Sequence, residues 1–196
     1  MEFSHYSVML EECISGLAIR PDGIYVDGTA GGAGHSCQIA KRLTEGKLFA
    51  LDKDPDAVSI AAQRLAPYAQ ATVIQADFKD LCCTLKERGI TGVDGILLKL
   101  GVSSYQLDTA ERGFSYHQDA PLDMRMSKTG PSARDLVNTY SVEDLSRIIR
   151  EFGEEKYAWS IAKNIEKARA KAPILTTGQL AEIIRESMPY SARREK

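Results

Sequence analysis

Segment 24–35 constrains the fold of this chain more than any other stretch. It reads IYVDGTAGGAGH, with four glycines inside seven positions. The apolar residues at 24–26 predict a short buried strand, and helix-compatible sequence follows at 36–43. A strand, a glycine-rich turn and a helix together let backbone N–H groups and a helix N-terminus face a nucleotide-like ligand. A turn that binds nothing needs fewer glycines, so we interpret the segment as a ligand-binding loop.

An acidic residue further along the chain supports this interpretation. Residues 48–51 predict a second strand, and Asp52 ends it, 18 residues beyond Gly34. A carboxylate at the end of the second strand, about 20 residues after such a loop, is placed to accept hydrogen bonds from a ribose. The competing role, a cap on the helix that begins near Pro55, is already filled by Asp54. We therefore expect Asp52 to be spare for a ligand.

The glycine spacing distinguishes two classes of cofactor. Nicotinamide and flavin sites use G-x-G-x-x-G, which no register of the glycines at 28, 31, 32 and 34 supplies. Segment 27–34, DGTAGGAG, instead resembles the first motif of S-adenosylmethionine-dependent methyltransferases, in which an acidic residue ends the strand and the loop wraps the methionine part of the ligand. A nucleotide-dependent oxidoreductase that uses the same loop is an alternative.

Alternating apolar segments predict an α/β fold in the first part of the chain. We predict strands at 24–26, 48–51, 71–76 and 95–100, and helices at 9–17, 36–43, 55–65 and 79–88. This alternation predicts a parallel sheet in the order 3-2-1-4, with the ligand over the carboxyl ends of strands one and four.

The pattern of residue types changes after Arg112. A polar loop at 113–126 is followed by predicted helices at 132–138, 142–151, 154–170 and 177–187. We therefore predict an α/β cofactor-binding domain at 1–112 and an all-helical domain at 113–196.

Composition predicts a soluble, cytoplasmic protein. Of the 196 residues, 43% are hydrophobic and 27% are charged, and no apolar stretch approaches the roughly 18 residues of a membrane span. There is no signal-peptide pattern at the N-terminus. Because the four cysteines and three histidines lack metal-ligand spacing, we predict no metal site and no disulfide.

The charge balance changes along the chain. Residues 1–112 contain 11 basic and 15 acidic residues, whereas 113–196 contain 14 and 12. Within 156–171, five basic residues stand against one acidic residue, which suits a phosphate-contacting face. The candidate phosphate contacts are Lys156, Lys163, Lys167 and Arg169. A merely solvated helix surface is equally compatible with the charge alone.

Longer motifs, most of them after strand four, point to a family. They are LGVSS at 100–104, QLD at 106–108, RGFSY at 112–116 and DAPLDMRM at 119–126, with shorter ones at 5–9, 27–29, 34–36, 138–140, 148–150 and 177–180. These motifs are similar to those of the RsmH/MraW family of bacterial methyltransferases. That family methylates the exocyclic N4 of a cytosine in the decoding centre of 16S rRNA, and the similarity covers essentially the whole chain.

The resemblance implies a class I, Rossmann-like methyltransferase fold with a helical, RNA-facing insert domain. It also implies S-adenosylmethionine as cofactor and the 16S rRNA of the small ribosomal subunit as partner. Four parts of the cofactor site follow from it: the methionine part on the loop, the ribose on Asp52, the adenine against Phe78, and a further contact from Gln106. The loop residues are Gly31, Gly32, Ala33, Gly34 and His35. A homodimer is compatible with the sequence.

The chain departs from the family pattern in ways that bear on activity. Lys99 stands where the family has Asp at the end of strand four, and Tyr105 replaces a Pro. An ammonium about 4 Å from a sulfonium would repel it by roughly 4 kcal/mol at an effective dielectric constant of about 20. We therefore expect slow or absent methyl transfer, and we assign no catalytic residue. A catalytically inactive rRNA- or ribosome-binding paralogue or fragment is a second alternative.

Family members also continue past the point at which this chain stops. We therefore expect the sheet to be incomplete at its C-terminal side.

Overall fold

The computed structural model describes residues 8–191, and contacts divide the chain into two compact units. The first unit extends to Gly101 and also includes Met126–Lys128. The second unit comprises Val102–Arg125 and the described chain from Thr129 onward. Residues 102–112, which we predicted as the end of the first domain, thus belong to the second unit.

The first unit is built on four parallel strands. They are β1 (Ile24–Asp27), β2 (Lys47–Asp52), β3 (Ala71–Gln75) and β4 (Gly95–Leu97). Its helices are α1 (Leu10–Leu17), α2 (Gly34–Ala40), α3 (Pro55–Leu65) and α4 (Leu81–Lys86). The strands pair in the order β3-β2-β1-β4 and every pairing is parallel. This order is that of the first half of a Rossmann-like sheet, so the predicted α/β class and topology are confirmed.

Both faces of the two central strands are buried. Tyr25 of β1 and Leu48 of β2 pack into a cluster on one face with residues of α1, α2 and α3. Their neighbours Val26 and Phe49 pack into a second cluster on the other face, together with Leu85 of α4. Burial on both faces explains why these strands appear as continuous apolar runs rather than as alternating patterns.

Side chains and loop contacts determine where several elements begin and end. The Asp54 side chain accepts a hydrogen bond from the Asp56 N–H at 3.1 Å and caps α3, as predicted. Helix α2 ends at Ala40, earlier than predicted, and the following chain turns so that the N–H groups of Thr44 and Gly46 reach the Pro21 carbonyl.

The second unit is helical. Its helices are α5 (Ser104–Asp108), α6 (Ala133–Thr139), α7 (Val142–Glu151), α8 (Ala158–Arg169) and α9 (Thr177–Ser187). The predicted bounds of α7 and α9 are confirmed, whereas α8 begins later than predicted, after Glu154 adopts a left-handed φ of 51°. The α7, α8 and α9 helices pack around a core that includes Leu145, Ile161 and Ile165.

Two further findings concern the described part of the chain. No helix within residues 8–191 has the length and apolar character that crossing a membrane requires. Within the same residues, no three His, Cys, Asp or Glu side chains form a group that could hold a metal ion.

Candidate functional site

The glycine-rich loop crosses the carboxyl ends of the parallel strands. It follows β1 directly, and its backbone is tied to both neighbouring strands. The Gly28 N–H donates to the Leu97 carbonyl of β4 at 2.9 Å, and the Ala30 N–H donates to the Leu51 carbonyl of β2 at 2.8 Å. The loop therefore lies at the edge of the sheet where ligands of parallel α/β folds bind.

Close packing and backbone conformation explain the small residues of the loop. A Cβ atom on Gly28 would lie 2.5 Å from Cδ2 of Leu98 and 3.2 Å from Cβ of Phe78. Gly31 has a left-handed φ of 51°. Ala33, at the N-cap of α2, is also left-handed, with a φ of 59°, which costs an alanine about 1 kcal/mol. The surroundings hold this loop in a strained shape, as is common at ligand-binding sites.

Asp52 supports the loop, which corrects our expectation that its side chain is spare. Its Oδ2 accepts from the Gly31 N–H at 2.9 Å, and its Oδ1 accepts from the Asp54 N–H at 2.9 Å. Each carboxylate oxygen has a second lone pair, so each can accept one further hydrogen bond. The half-buried Asp52 can thus hold the loop and also contact a ribose hydroxyl.

Asp27, the last residue of β1, lies beneath the loop and is only 2% exposed. Its carboxylate accepts from the Ser36 hydroxyl at 2.6 Å and from the Thr29 N–H at 3.2 Å. Burial raises the pKa of this carboxyl, while the two hydrogen bonds and the nearby His35 partly oppose the increase. These contacts make Asp27 the link between β1, the loop and α2.

His35 brings an unsatisfied polar atom to the same place. The residue is 6% exposed, and its Nε2 has no hydrogen-bond partner among residues 8–191. A buried nitrogen left unpaired costs about 1–3 kcal/mol, which a polar ligand atom could recover. The loop thus combines a close-packed backbone with a buried nitrogen whose hydrogen-bonding capacity no described residue uses.

Phe78 and Lys99 flank the loop. Phe78 opens the turn Phe78–Asp80 after β3, is partly exposed, and lies beside Gly28. The Lys99 N–H donates to Oγ1 of Thr29 at 2.7 Å, and β4 ends at Leu97 rather than at 100 as predicted. The first unit therefore brings together the predicted loop residues, Asp52 and Phe78, with Lys99 next to them.

Comparison with known proteins assigns the chain to a family. The model of the MraW methylase family matches residues 2–196. The chain belongs to the MraW methylase family. This result confirms the family predicted from the motifs.

Curated relatives agree with this assignment. The chain is 55% identical to the ribosomal RNA small subunit methyltransferase H 2 of Agathobacter rectalis, with 98% of this chain and 63% of that protein aligned. It is 55% identical to the ribosomal RNA small subunit methyltransferase H of Lachnospira eligens, over 98% of this chain and 62% of that protein. It is 50% identical to the ribosomal RNA small subunit methyltransferase H of Brevibacillus brevis, over 99% of this chain and 63% of that protein. The chain thus spans less than two thirds of the length of these relatives.

Gln106, which the MraW resemblance assigns to the cofactor, has a structural role in the second unit. Its Oε1 accepts from the Ser103 N–H at 3.0 Å, and its own N–H donates to the Ser103 hydroxyl at 3.2 Å. These reciprocal bonds form a capping box that starts α5, a helix that our sequence analysis missed. The serine followed three residues later by glutamine is the signal that could have found it. A contact between Gln106 and the cofactor stays a prediction.

The basic residues predicted to contact RNA divide into two groups. Lys163 and Lys167 are four residues apart and share one face of α8, and Lys156 precedes the helix. Arg169 instead donates from Nη1 to the Val137 carbonyl at 2.8 Å, at the end of α6. Arg169 therefore stabilises the helical core, and the remaining three lysines are the better candidates.

The MraW-like motif at 119–126 organises the second unit. Asp123 accepts from Nε and Nη2 of Arg125, and from the Arg125 N–H at 2.9 Å. Asp119 accepts from the Gly178 N–H at 2.9 Å, at the start of α9. The Arg125 hydrogen bonds lower the pKa of Asp123, and the hydrogen bonds of Thr176 and Gly178 lower that of Asp119. This motif is part of the family resemblance, but the hydrogen bonds of its Asp119 and Asp123 stabilise the second unit itself.

Sequence reasoning also missed residues that shape the site. Thr29 receives the Lys99 N–H, Ser36 donates to Asp27, and Nη1 of Arg64 donates to the Gly32 carbonyl at 2.6 Å. Thr29 and Ser36 lie inside the family-like motifs DGT at 27–29 and GHS at 34–36, and these motifs were the signal that could have identified them. Arg64 lies on α3 and had no such signal.

Proposed function

We propose that this chain binds S-adenosylmethionine on the loop at 31–35 and serves the methylation of the exocyclic N4 of a cytosine in 16S rRNA. Membership of the MraW methylase family supports the reaction class, and the names of the relatives support a small-subunit ribosomal RNA as substrate. The family also favours this reaction over the oxidoreductase alternative.

One observation carries the cofactor proposal. The loop at the end of β1 is held by Asp52 at the end of β2, and Asp52 keeps unused acceptor capacity. The unpaired Nε2 of His35 lies within the same loop, and the exposed part of Phe78 lies beside it. Acceptors for ribose hydroxyls, an unsatisfied polar nitrogen and an aromatic ring together suit an adenosyl ligand.

The chemistry explains which protein groups the reaction needs. S-adenosylmethionine supplies a methyl group on an electrophilic sulfonium. A cytosine amino nitrogen is a weak nucleophile, because its lone pair is delocalised into the ring, so the protein must orient it and accept its N–H hydrogen bonds. A carboxylate does this well. Asp27 and Asp52 end their strands and Asp77 follows β3, but all three already accept backbone or Ser36 hydrogen bonds.

Lys99 favours a second candidate function. An ammonium cannot accept an amine hydrogen bond, and its charge opposes binding of a sulfonium. The Lys99 N–H is bonded to Thr29 of the glycine-rich loop, which supports a position for this substitution beside the proposed cofactor site. The second candidate is a protein that binds rRNA or the small subunit without transferring methyl groups at a useful rate.

The test compares four proteins: this chain, Lys99→Asp, the chain joined to the C-terminal segment of a relative, and both changes together. Each is assayed for cofactor affinity by calorimetry and for transfer of tritiated methyl groups to small ribosomal subunits. We expect Lys99→Asp to increase S-adenosylmethionine affinity, by up to about a thousandfold. We expect full transfer only in the protein with both changes, with N4-methylcytidine as product. Rapid transfer by the unmodified chain would contradict the role of Lys99. Absence of transfer by all four would contradict the proposed reaction.

A further inference from the structure

An exposed aromatic residue on α8 lies among lysines. Trp159 is 46% exposed, although it is the largest side chain on a helix whose other face is fully buried. Nζ of Lys163, one turn further along, lies 5.5 Å from the centroid of the indole ring. The indole ring of Trp159 is therefore partly exposed, and the Lys163 ammonium lies over one of its faces.

The buried and exposed sides of α8 are clearly separated. Ala158, Ile161 and Ile165 are essentially inaccessible and pack in the core of the second unit. Spacings of four residues place Trp159, Lys163 and Lys167 in one row on the opposite side. We call this row the Trp159 surface.

The charge of the segment that carries this surface indicates the kind of partner. Between 156 and 171 the only acidic residue is Glu166, and its carboxylate lies 3.4 Å from Nζ of Lys163. Lysine is depleted in the cores of protein–protein interfaces, whereas aromatic rings flanked by basic side chains are typical of surfaces that bind single-stranded nucleic acid. A base can stack on an exposed ring only when it is not already stacked in a duplex.

We propose that the Trp159 surface binds a single-stranded polynucleotide, with one base stacked on Trp159 and adjacent phosphates on Lys163 and Lys167. This inference rests on the proposed function, which makes rRNA the natural source of such a strand, and it adds the stacking contact and the single-stranded state. A duplex would offer the lysines phosphates but would offer the indole no free base.

The composition of the chain makes the experiment direct. Trp159 is the single tryptophan, so its fluorescence reports on this surface alone. The probe is a 10-nucleotide single-stranded RNA of mixed sequence, compared with the same DNA sequence and with an RNA duplex. We expect the single strands to quench the emission and the duplex to leave it nearly unchanged. RNA binding tighter than DNA binding would identify RNA as the source of the strand.

Matched variants separate stacking from charge. By anisotropy of a labelled RNA, Trp159→Leu should weaken binding by about 5- to 100-fold, and Trp159→Phe should preserve most of the affinity. Joint replacement of Lys163 and Lys167 by Gln should reduce the log–log salt slope by about 1.4, whereas Lys86→Gln on α4 should not change it. Circular dichroism checks that each variant is folded.

The outcomes distinguish this inference from the proposed function. RNA binding without quenching, and with equal affinity for Trp159→Leu, would overturn the stacking proposal while leaving the methyltransferase assignment intact. Quenching by an acidic peptide but not by RNA would assign the surface to a protein partner and overturn it as well. Failure of the unmodified chain to bind S-adenosylhomocysteine, which has no sulfonium charge, would instead count against the proposed function.

Discussion

At the scale of single residues, the candidate site depends on carboxylates that support a loop. Asp52 holds Gly31, and Asp27 holds Thr29 and Ser36. The sequence identified Asp52 from its spacing, but it could not show that this side chain already has two backbone donors. That information depends on the folded path of the loop, which brings Gly31 to the end of β2.

Asp27 should make stability depend on pH in an unusual direction. Burial raises the pKa of its carboxyl, so the folded protein holds this proton more tightly than the unfolded chain does. The contribution of Asp27 to stability is therefore fully present below the unfolded pKa and decreases as the pH rises towards the raised folded value. Asp27→Asn removes this titration and keeps a hydrogen-bonding side chain in place.

The measurement is urea unfolding of the wild-type protein and of Asp27→Asn between about pH 4 and about pH 7. We expect the wild-type protein to lose stability relative to the variant as the pH rises. Asp80→Asn, at an exposed position, is the control for the effect of an Asp-to-Asn substitution as such. Parallel curves for the wild type and Asp27→Asn would show that Asp27 does not titrate differently on folding.

At the scale of elements, the motif at 119–126 stabilises the helical unit through its charged pair. Asp123→Asn should weaken the bonds from the Arg125 guanidinium and N–H and lower the midpoint of thermal unfolding. Thermal unfolding followed by circular dichroism measures this change. Because the carboxyl pKa of Asp123 is lowered, its contribution is present above the unfolded pKa and is lost as the pH falls through the folded value. A variant with unchanged stability at neutral pH would show that the pair is not stabilising.

Elements with a strong local signal were predictable from the sequence. The bounds of α3, α7 and α9 follow from a proline or a capping residue at the start and apolar periodicity afterwards. The ends of α2 and β4 depend on distant partners, namely the Pro21 carbonyl and the Thr29 hydroxyl. No local pattern encodes such contacts. The role of Arg169 was hidden for the same reason, since its partner Val137 lies on another helix.

At the scale of the whole molecule, β4 is an edge strand of the described sheet, with no strand paired on its outer side. Apolar side chains are exposed along this edge and just beyond it, at Ile96, Leu98 and Leu100. Exposed apolar residues on an edge strand are a site at which further chain can add. The relatives are longer than this chain, which aligns with 63% of the Agathobacter rectalis protein.

We therefore expect the C-terminal segment of a relative to stabilise the chain when it is joined to it. Burial of these side chains should raise the midpoint of thermal unfolding by several degrees, since each buried leucine or isoleucine contributes about 1.5–3 kcal/mol. Differential scanning calorimetry of the chain and of the joined protein makes the comparison. A joined segment of the same composition in shuffled order is the control. Equal midpoints for the chain and the natural fusion would show that the segment does not cover this edge.

The central claim is that the loop at 31–35, supported by Asp52, binds S-adenosylmethionine. The most direct measurement is calorimetric titration of this chain and of Asp52→Ala with S-adenosylhomocysteine, which has no sulfonium charge for Lys99 to oppose, and with NAD. We predict that S-adenosylhomocysteine binds and NAD does not, and that Asp52→Ala weakens binding by about 1.5–3 kcal/mol. Binding of NAD in preference to S-adenosylhomocysteine, or an affinity that Asp52→Ala leaves unchanged, would contradict the account.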